Sequence, residues 1–242
     1  MDREPRHVVR SYPLPRQAGM NHMRASDLIS ADIVPLKPTD PVSLALDRME
    51  EFKLGHLPVV ENGHLVGLVK DSDLTEGSHA RGAVSDVMER VELPYVRELQ
   101  HIYDVMKLFV ERGLSVVPVL DMNGRYLGAV DEHVALRRLS EVTNVREPGS
   151  ILVLEMNAID YSLQEIARIV EGNDGKVLSV YCHPLPDSTR TEVTLKINRE
   201  DISDILQTFE RYEYNVKTTY QGSRFHENLL GRYDELMRLI NL

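Results

Sequence analysis

Tryptophan is absent from this 242-residue chain, phenylalanine occurs four times and cysteine once. The core must therefore be mostly aliphatic, and a lone thiol, Cys182, excludes an internal disulfide. That cysteine count fits a reducing cytoplasm. No apolar run reaches the roughly 18 residues that cross a bilayer, so no membrane partner is expected. The first residues lack the apolar block of a secretory signal. Positive charge is also short: 28 Lys and Arg against 38 Asp and Glu leave a net charge of −10. Nucleic-acid binding relies on clustered cations, so no nucleic-acid partner is expected. What remains is an ordinary globular composition, 42% hydrophobic and 27% charged, long enough for one large or two small domains.

Within that composition one stretch stands out. Gly55-His56-Leu57-Pro58-Val59-Val60 leads into Asn62-Gly63, then His64-Leu65-Val66-Gly67-Leu68-Val69 and the acidic turn Lys70-Asp71-Ser72-Asp73-Leu74. This order predicts a strand, an Asn-Gly turn, a second strand and the start of a helix. The pattern recurs from Gly113. Pro58 has its counterpart in Pro118, 60 residues on, while Gly63 and Gly67 reappear as Gly124 and Gly128, 61 residues on. One residue is therefore inserted just before the second turn. A short helical turn, Ser26-Asp27-Leu28-Ile29, is likewise echoed by Ser85-Asp86-Val87-Met88.

Each copy also predicts an extended piece, Ile33 to Leu36 in the first, and a helix after Thr39-Asp40-Pro41. That helix has an apolar face of Val42, Ala45, Leu46, Met49 and Phe52; its echo shows Ile102, Val105, Met106 and Phe109. A closing helix starts at Asp73 in the first copy and runs through Val134, Leu136 and Leu139 in the second. Two such units bury the open faces of their sheets against each other. On these residues, 23–141 resembles a tandem pair of cystathionine-beta-synthase (CBS) domains, a Bateman module, with repeats over about 23–80 and 81–141.

Residues 142–150, with Thr143, Asn144, Pro148 and Gly149, read as a linker. Beyond it Ile151 to Met156 predicts a strand, and Ser162-Leu163-Gln164-Glu165 a capping box opening a helix with Leu163, Ile166, Ile169 and Val170 on one face. Strands follow at Val177 to Tyr181 and Thr191 to Ile197, then a helix from Glu200 to Tyr212 and a last strand from Asn215 to Tyr220. The order βαββαβ is the ferredoxin-like unit. Over 151–222 it resembles an ACT domain, a small regulatory fold, and Leu163 to Val170 fits that family's first helix. The expected fold class is α+β (mixed α/β). Residues 223–242 predict a helix with Leu229, Tyr233, Leu236, Met237 and Ile240 in a packing stripe, on its own domain or across a dimer. Residues 1–22, with Arg3, Arg6, Arg10, Arg16 and three prolines, read as a disordered arm; Met20 or Met23 is an alternative natural start.

Catalytic patterns are missing: there is no Gly-x-Ser-x-Gly elbow, no P-loop and no His-Glu-x-x-His. Asp71, Asp73 and Glu76 lack the Gly and Glu that a calcium loop needs. Neither an enzyme nor a metal site is expected. The CBS resemblance implies instead an adenosine ligand, such as AMP or ATP, in the cleft between repeats. An Asp at the start of the closing helix holds the ribose hydroxyls, and a hydroxyl residue three positions earlier meets the phosphate. Asp73 fills the first role, while Lys70 stands in the second place and attracts phosphate as a point charge. Val34, Pro35, His56 and Leu57 match positions that border the base. Asp131 and Val134 replace the pair in the second repeat, so no ordinary nucleotide site is expected there. The competing reading of Asp73 is a helix cap, with Glu76 three residues on.

Alignment to the ACT family puts Ala158 at its usual ligand Asp and Tyr161 at its usual Gly. Tyr161 then fills the space of an amino-acid ligand, and the domain serves mainly to dimerise through a sheet edge. A CBS pair followed by an ACT domain resembles the acetoin-utilisation accessory protein family. That resemblance implies a non-catalytic cytoplasmic regulator or sensor, a homodimer with an unknown protein partner. The alternative is a structural or interaction dimer with both ligand sites degenerate.

Overall fold

The computed structural model describes residues 23–75, 82–88 and 92–220. The expected arm, the C-terminal helix and Glu76 lie outside them. The chain divides into two compact units between Arg138 and Leu139.

In the first unit, helix α1 (Val42–Phe52) begins after Pro41, whose extended backbone makes it the N-cap rather than a first-turn residue. The helix buries Val42, Ala45 and Met49 and stops at Lys53, which adopts the left-handed conformation at φ 56°. Strands β1 (His56–Glu61) and β2 (His64–Lys70) are joined by Asn62-Gly63 with φ of 52° and 79°. Positive φ at both central residues is the turn whose twist matches a two-residue hairpin. A short helix α2 (Asp71–Thr75) follows.

The second repeat rebuilds the same parts: β3 (Val96–Arg97), α3 (Ile102–Arg112), β4 (Val116–Leu120), β5 (Tyr126–Asp131) and α4 (Glu132–Val142). Its hairpin turn is one residue wider, closed by the Asp121 carboxylate accepting from the Asn123 and Arg125 amides at 2.8 and 2.7 Å. Both hairpins carry a register shift at the equivalent place, Val59/Val60 and Val119/Leu120. β3 pairs in parallel with β4 through Val96 and Val119. Its echo in the first repeat, the piece expected from Ile33 to Leu36, is reduced to a single parallel bridge from Leu36 to Val59. In α4 the buried residue is Ala135, while Leu136 is 67% exposed, so the expected stripe through Leu136 is not the packed face.

The repeats as read in sequence are not the packing units. The 3-10 turn at Ala25–Leu28, which opens the first repeat, is folded onto the second: Arg24 bridges His101, and the Ser30 amide donates to the Ala129 carbonyl at 2.9 Å. The turn at Val84–Asp86, which opens the second repeat, is folded onto the first: Ala83 bridges Pro41, and the Val84 amide donates to Asp40 at 2.9 Å. At each crossing a glycine admits the visiting side chain. A Cβ on Gly67 would lie 2.6 Å from Met88 Sδ, and one on Gly128 would overlap Ile29 Cγ2. Both repeats thereby share one aliphatic core, with Leu28, Leu36, Leu57, Val69, Ile102 and Val117 almost wholly buried.

The second unit comprises β6 (Ser150–Asn157), α5 (Leu163–Gly172), β7 (Val177–Pro184), β8 (Arg190–Ile197), α6 (Ser203–Arg211) and β9 (Asn215–Tyr220). Its sheet runs β7-β8-β6-β9 with every neighbour antiparallel, the ferredoxin-like βαββαβ topology. Ile166, Ile169, Ile205 and Phe209 from the helices meet Leu152, Leu154, Val193 and Leu195 from the central strands. The capping box at Ser162 is half formed. Its hydroxyl accepts from the Glu165 amide at 3.3 Å, but the Glu165 carboxylate accepts instead from the Tyr214 hydroxyl at 3.0 Å. The expected linker is tied to this unit, since the Asn144 amide group donates to the Leu178 carbonyl at 2.9 Å.

The two crossings differ in stiffness. A β-branched Ile cannot move aside as an unbranched Met can. Gly128→Ala is expected to lower stability by about 1–3 kcal/mol, and Gly67→Ala by less, in urea unfolding followed by circular dichroism. Equal costs would mean that the crossings do not hold the repeats together in the way described.

Candidate functional site

The end of β2 and the first turn of α2 place Lys70 and Asp73 on one wall of a cavity of about 210 Å³. His56, at the start of β1, also lines it. The opposite wall comes from the second repeat: Glu92, Pro94 and Arg112. The repeats meet at Gly55 and Ser115, which are equivalent positions 60 residues apart. The Gly55 amide donates to Ser115 Oγ at 2.9 Å, and the Ser115 amide donates to His56 Nδ1 at 3.2 Å. Accepting at Nδ1 leaves the proton of the neutral ring on Nε2. At 8% exposure, His56 is part of the joint as well as of the cavity.

Of the six residues expected at a ligand, the structure brings Lys70, Asp73 and His56 together and leaves three elsewhere. Leu57 is 1% exposed and belongs to the shared core. Val34 and Pro35 lie outside the cavity lining; their carbonyls accept from Arg48 Nη1 at 3.3 and 3.2 Å. The physical reason is the crossing of the repeats. The wall facing Lys70 and Asp73 is the entry segment of the other copy, so Pro94, 60 residues after Val34, stands there instead. Arg112 and Glu92 escaped the sequence reading for the same reason. The backbones of Lys70 and Arg112 belong to a strand and a helix, but neither side chain has a hydrogen-bond or ion-pair partner among the described residues.

The capping reading of Asp73 does not match its position. α2 begins at Asp71, which leaves Lys70 at the cap position and Asp73 inside the first turn. The Asp73 carboxylate accepts from the Ser72 hydroxyl at 3.3 Å rather than from a backbone amide at the helix start. In the second repeat the cap is real. The Asp131 carboxylate accepts from the Val134 amide at 2.8 Å and faces His133 at 4.0 Å. The cavity there, about 380 Å³, is lined by Ser30, Asp32, Ile33, Lys53, Asp131 and Val134. It offers an apolar Val134 where the first cleft offers Asp73.

In the second unit Tyr161 is partly buried and packs against the core. Burial, and then its hydrogen bond to Cys182, raise its phenol pKa. A cavity of about 390 Å³ beside β6 contains Glu155, Asp160 and Glu165. Their charges are already engaged: Glu155 by Arg190 at 2.9 Å and by Lys217, Asp160 by Asn157 at 2.9 Å, and Glu165 by Tyr214. Among the described residues no group of three or more His, Cys, Asp or Glu is placed to hold a metal ion. Nor is any described helix long and apolar enough to cross a membrane.

Residues 25–79 and 84–141 each match the CBS domain family, so the first part of the chain is a tandem CBS-domain pair. Among curated proteins, an uncharacterized 33.4 kDa protein in the ribosomal RNA operon of Thermofilum pendens is 28% identical, over 84% of this chain and 76% of its own length. The inosine-5'-monophosphate dehydrogenase of Methanocaldococcus jannaschii is 25% identical over 61% of this chain, but the match spans only 30% of that enzyme. Among solved structures, a CBS domain pair/ACT domain protein from Thermotoga maritima covers 49% of this chain and 98% of its own, at 26% identity and a TM-score of 0.44. CBSX2 in complex with AMP covers 49% and 97%, at 24% identity and a TM-score of 0.43.

Burial first, then the hydrogen bond to the Glu165 carboxylate, pushes the Tyr214 phenol up to about 12 from its usual 10.0. Folding therefore favours the neutral phenol. Its contribution is complete below pH 10 and is lost as the pH rises towards 12. Ultraviolet titration of phenolate should show a late-ionising tyrosine that disappears in Tyr214→Phe, and that variant should have a flatter stability profile across this window.

Proposed function

We propose that the CBS pair is a non-catalytic sensor that binds an adenine nucleotide in the cavity beside Asp73, and that the protein acts as a homodimeric regulator. One observation carries this reading: Asp73, Lys70 and His56 of one repeat and Arg112 of the other converge on a single cavity. A carboxylate is suited to two ribose hydroxyls, and unpaired Lys and Arg side chains to a phosphate. Asp73 is available for this because it does not cap its helix. The complex of CBSX2 with AMP is a precedent for the ligand class in that protein. The cavity is smaller than the roughly 300–1,000 Å³ of typical small-molecule pockets, so part of a bound nucleotide extends beyond it and weak affinity is expected. The second cleft is not a nucleotide site in this reading, because Asp131 is spent on α4 and would repel phosphate. The second unit is proposed to be an ACT-like dimerisation domain pairing through an edge strand of its sheet, β7 or β9.

Titration calorimetry with AMP, ATP and S-adenosylmethionine tests the site. A carboxylate hydrogen bond is worth about 1.5–3 kcal/mol, so Asp73→Asn should weaken binding roughly ten- to a hundred-fold. Val134→Asn, in the other cleft, should leave it unchanged. No heat at millimolar ligand, and no thermal shift with any nucleotide, would reject the sensor. It would favour an interaction module with two degenerate clefts.

A further inference from the structure

A cavity in the second unit has a character unlike the rest of this acidic chain. Between α5 and α6 lies a space of about 230 Å³ lined by Arg168, Gly172, Asn173, Thr208, Arg211 and Tyr212, together with buried Ile169. Its lining contains two guanidinium groups and no carboxylate, in a protein whose net charge is −10. The clefts at Asp73 and Asp131 both contain acids.

Arginine near a helix C-terminus has an ordinary explanation, which is to satisfy the last carbonyl groups and oppose the negative end of the dipole. The hydrogen bonds here leave little for that role. At the end of α5 the Ile169 carbonyl accepts from the Asn173 side chain at 2.8 Å, Val170 from the Gly175 amide at 3.0 Å and Glu171 from Asp174 at 3.2 Å. At the end of α6 the carbonyls of Thr208, Phe209 and Glu210 accept from the amides of Tyr212, Tyr214 and Glu213. The chain caps its own helices.

The two arginines are held but hardly used. Arg168 lies 5.6 Å over the Tyr212 ring, and its contact with Glu165, at 3.9 Å, is beyond hydrogen-bond length. Arg211 donates once, to the Thr208 hydroxyl at 3.4 Å. That hydroxyl is itself fixed, donating to the Asp204 carbonyl at 2.9 Å and accepting from Asn173 Nδ2 at 3.2 Å. Each guanidinium has five N–H donors in a planar fork, so most of them lack an acceptor among the described residues. Gly172 adds a further feature. Its backbone does not require glycine, and a Cβ there would meet no atom within 4 Å. Neither conformation nor packing accounts for the missing side chain, and the space is open to a ligand.

We propose that this groove binds a small oxyanion, a phosphate or carboxylate group, held by Arg168 and Arg211 with Thr208 and Asn173 completing the polar wall. The fork geometry of arginine matches both anions. The site is separate from the nucleotide cleft and stands whether or not that cleft is occupied.

The test is titration of the full chain with inorganic phosphate and, separately, succinate, followed by amide spectra of Gly172, Asn173 and Thr208 against sodium chloride at matched ionic strength. Saturable shifts with either anion are expected, weakened at least about tenfold in the Arg168→Gln, Arg211→Gln double variant, as loss of charged hydrogen bonds requires. Saturation by phosphate alone would identify phosphate as the ligand class, and by succinate alone a carboxylate. Gly172→Ala should weaken binding while leaving the melting temperature no lower, because Ala is the better helix former. Shifts that chloride reproduces, or that persist unchanged in the double variant, would overturn the proposal.

Discussion

Each repeat of the CBS pair carries the opening turn of the other, and the rest of the first unit follows from that exchange. Ile29 enters beside Gly128 and Met88 beside Gly67, so neither repeat completes its own core. A pair of side-by-side units can slide freely; a pair that has traded segments is held at both crossings. The same exchange sets the chemistry of the clefts. Because the entry segments cross, the wall opposite each closing helix belongs to the other copy, and Lys70 and Asp73 face Pro94 and Arg112. The joint at Gly55, His56 and Ser115 makes the meeting point polar, with His56 shared between cohesion and the cavity.

The duplication makes the two clefts comparable residue by residue, and the comparison shows how they diverged. Asp131 at the cap position satisfies the first turn of α4, which removes it from ligand chemistry. Lys70 at the equivalent position cannot accept a hydrogen bond and so cannot cap α2. The first repeat therefore lacks a capping side chain at this position and keeps a cation facing the cleft. One substitution trades helix stability for electrostatics.

Much of this was legible in the sequence because it depended on local rules. Asn62-Gly63 fixed a hairpin, the 60-residue offset fixed the duplication, and the alternation around Thr191 fixed a strand that the structure finds at Arg190–Ile197. The order βαββαβ gave the correct sheet, since short connections leave few ways to pair four strands. What failed were statements about partners distant in sequence. Val34 and Pro35 were expected to border the base, whereas the lining beside Asp73 contains Pro94, the counterpart of Val34 in the other copy. The stripe through Leu136 failed because α4 packs through the small residue Ala135, which a search for large apolar side chains overlooks. Arg112 carried no local signal at all; only the offset from Phe52, combined with the crossing, points to it.

The arrangement also limits how a ligand could act. A molecule touching Lys70 or Asp73 alone binds one repeat and leaves the joint as it was. One that also engages Arg112 bridges segments of both repeats, which the shared core and the Gly55–Ser115 contact already join. Its binding energy then depends on the spacing of the repeats, and differential affinity for two spacings is the only way a ligand can shift between them. The two-sided wall created by the crossing is what would allow this cleft to report occupancy to the rest of the pair.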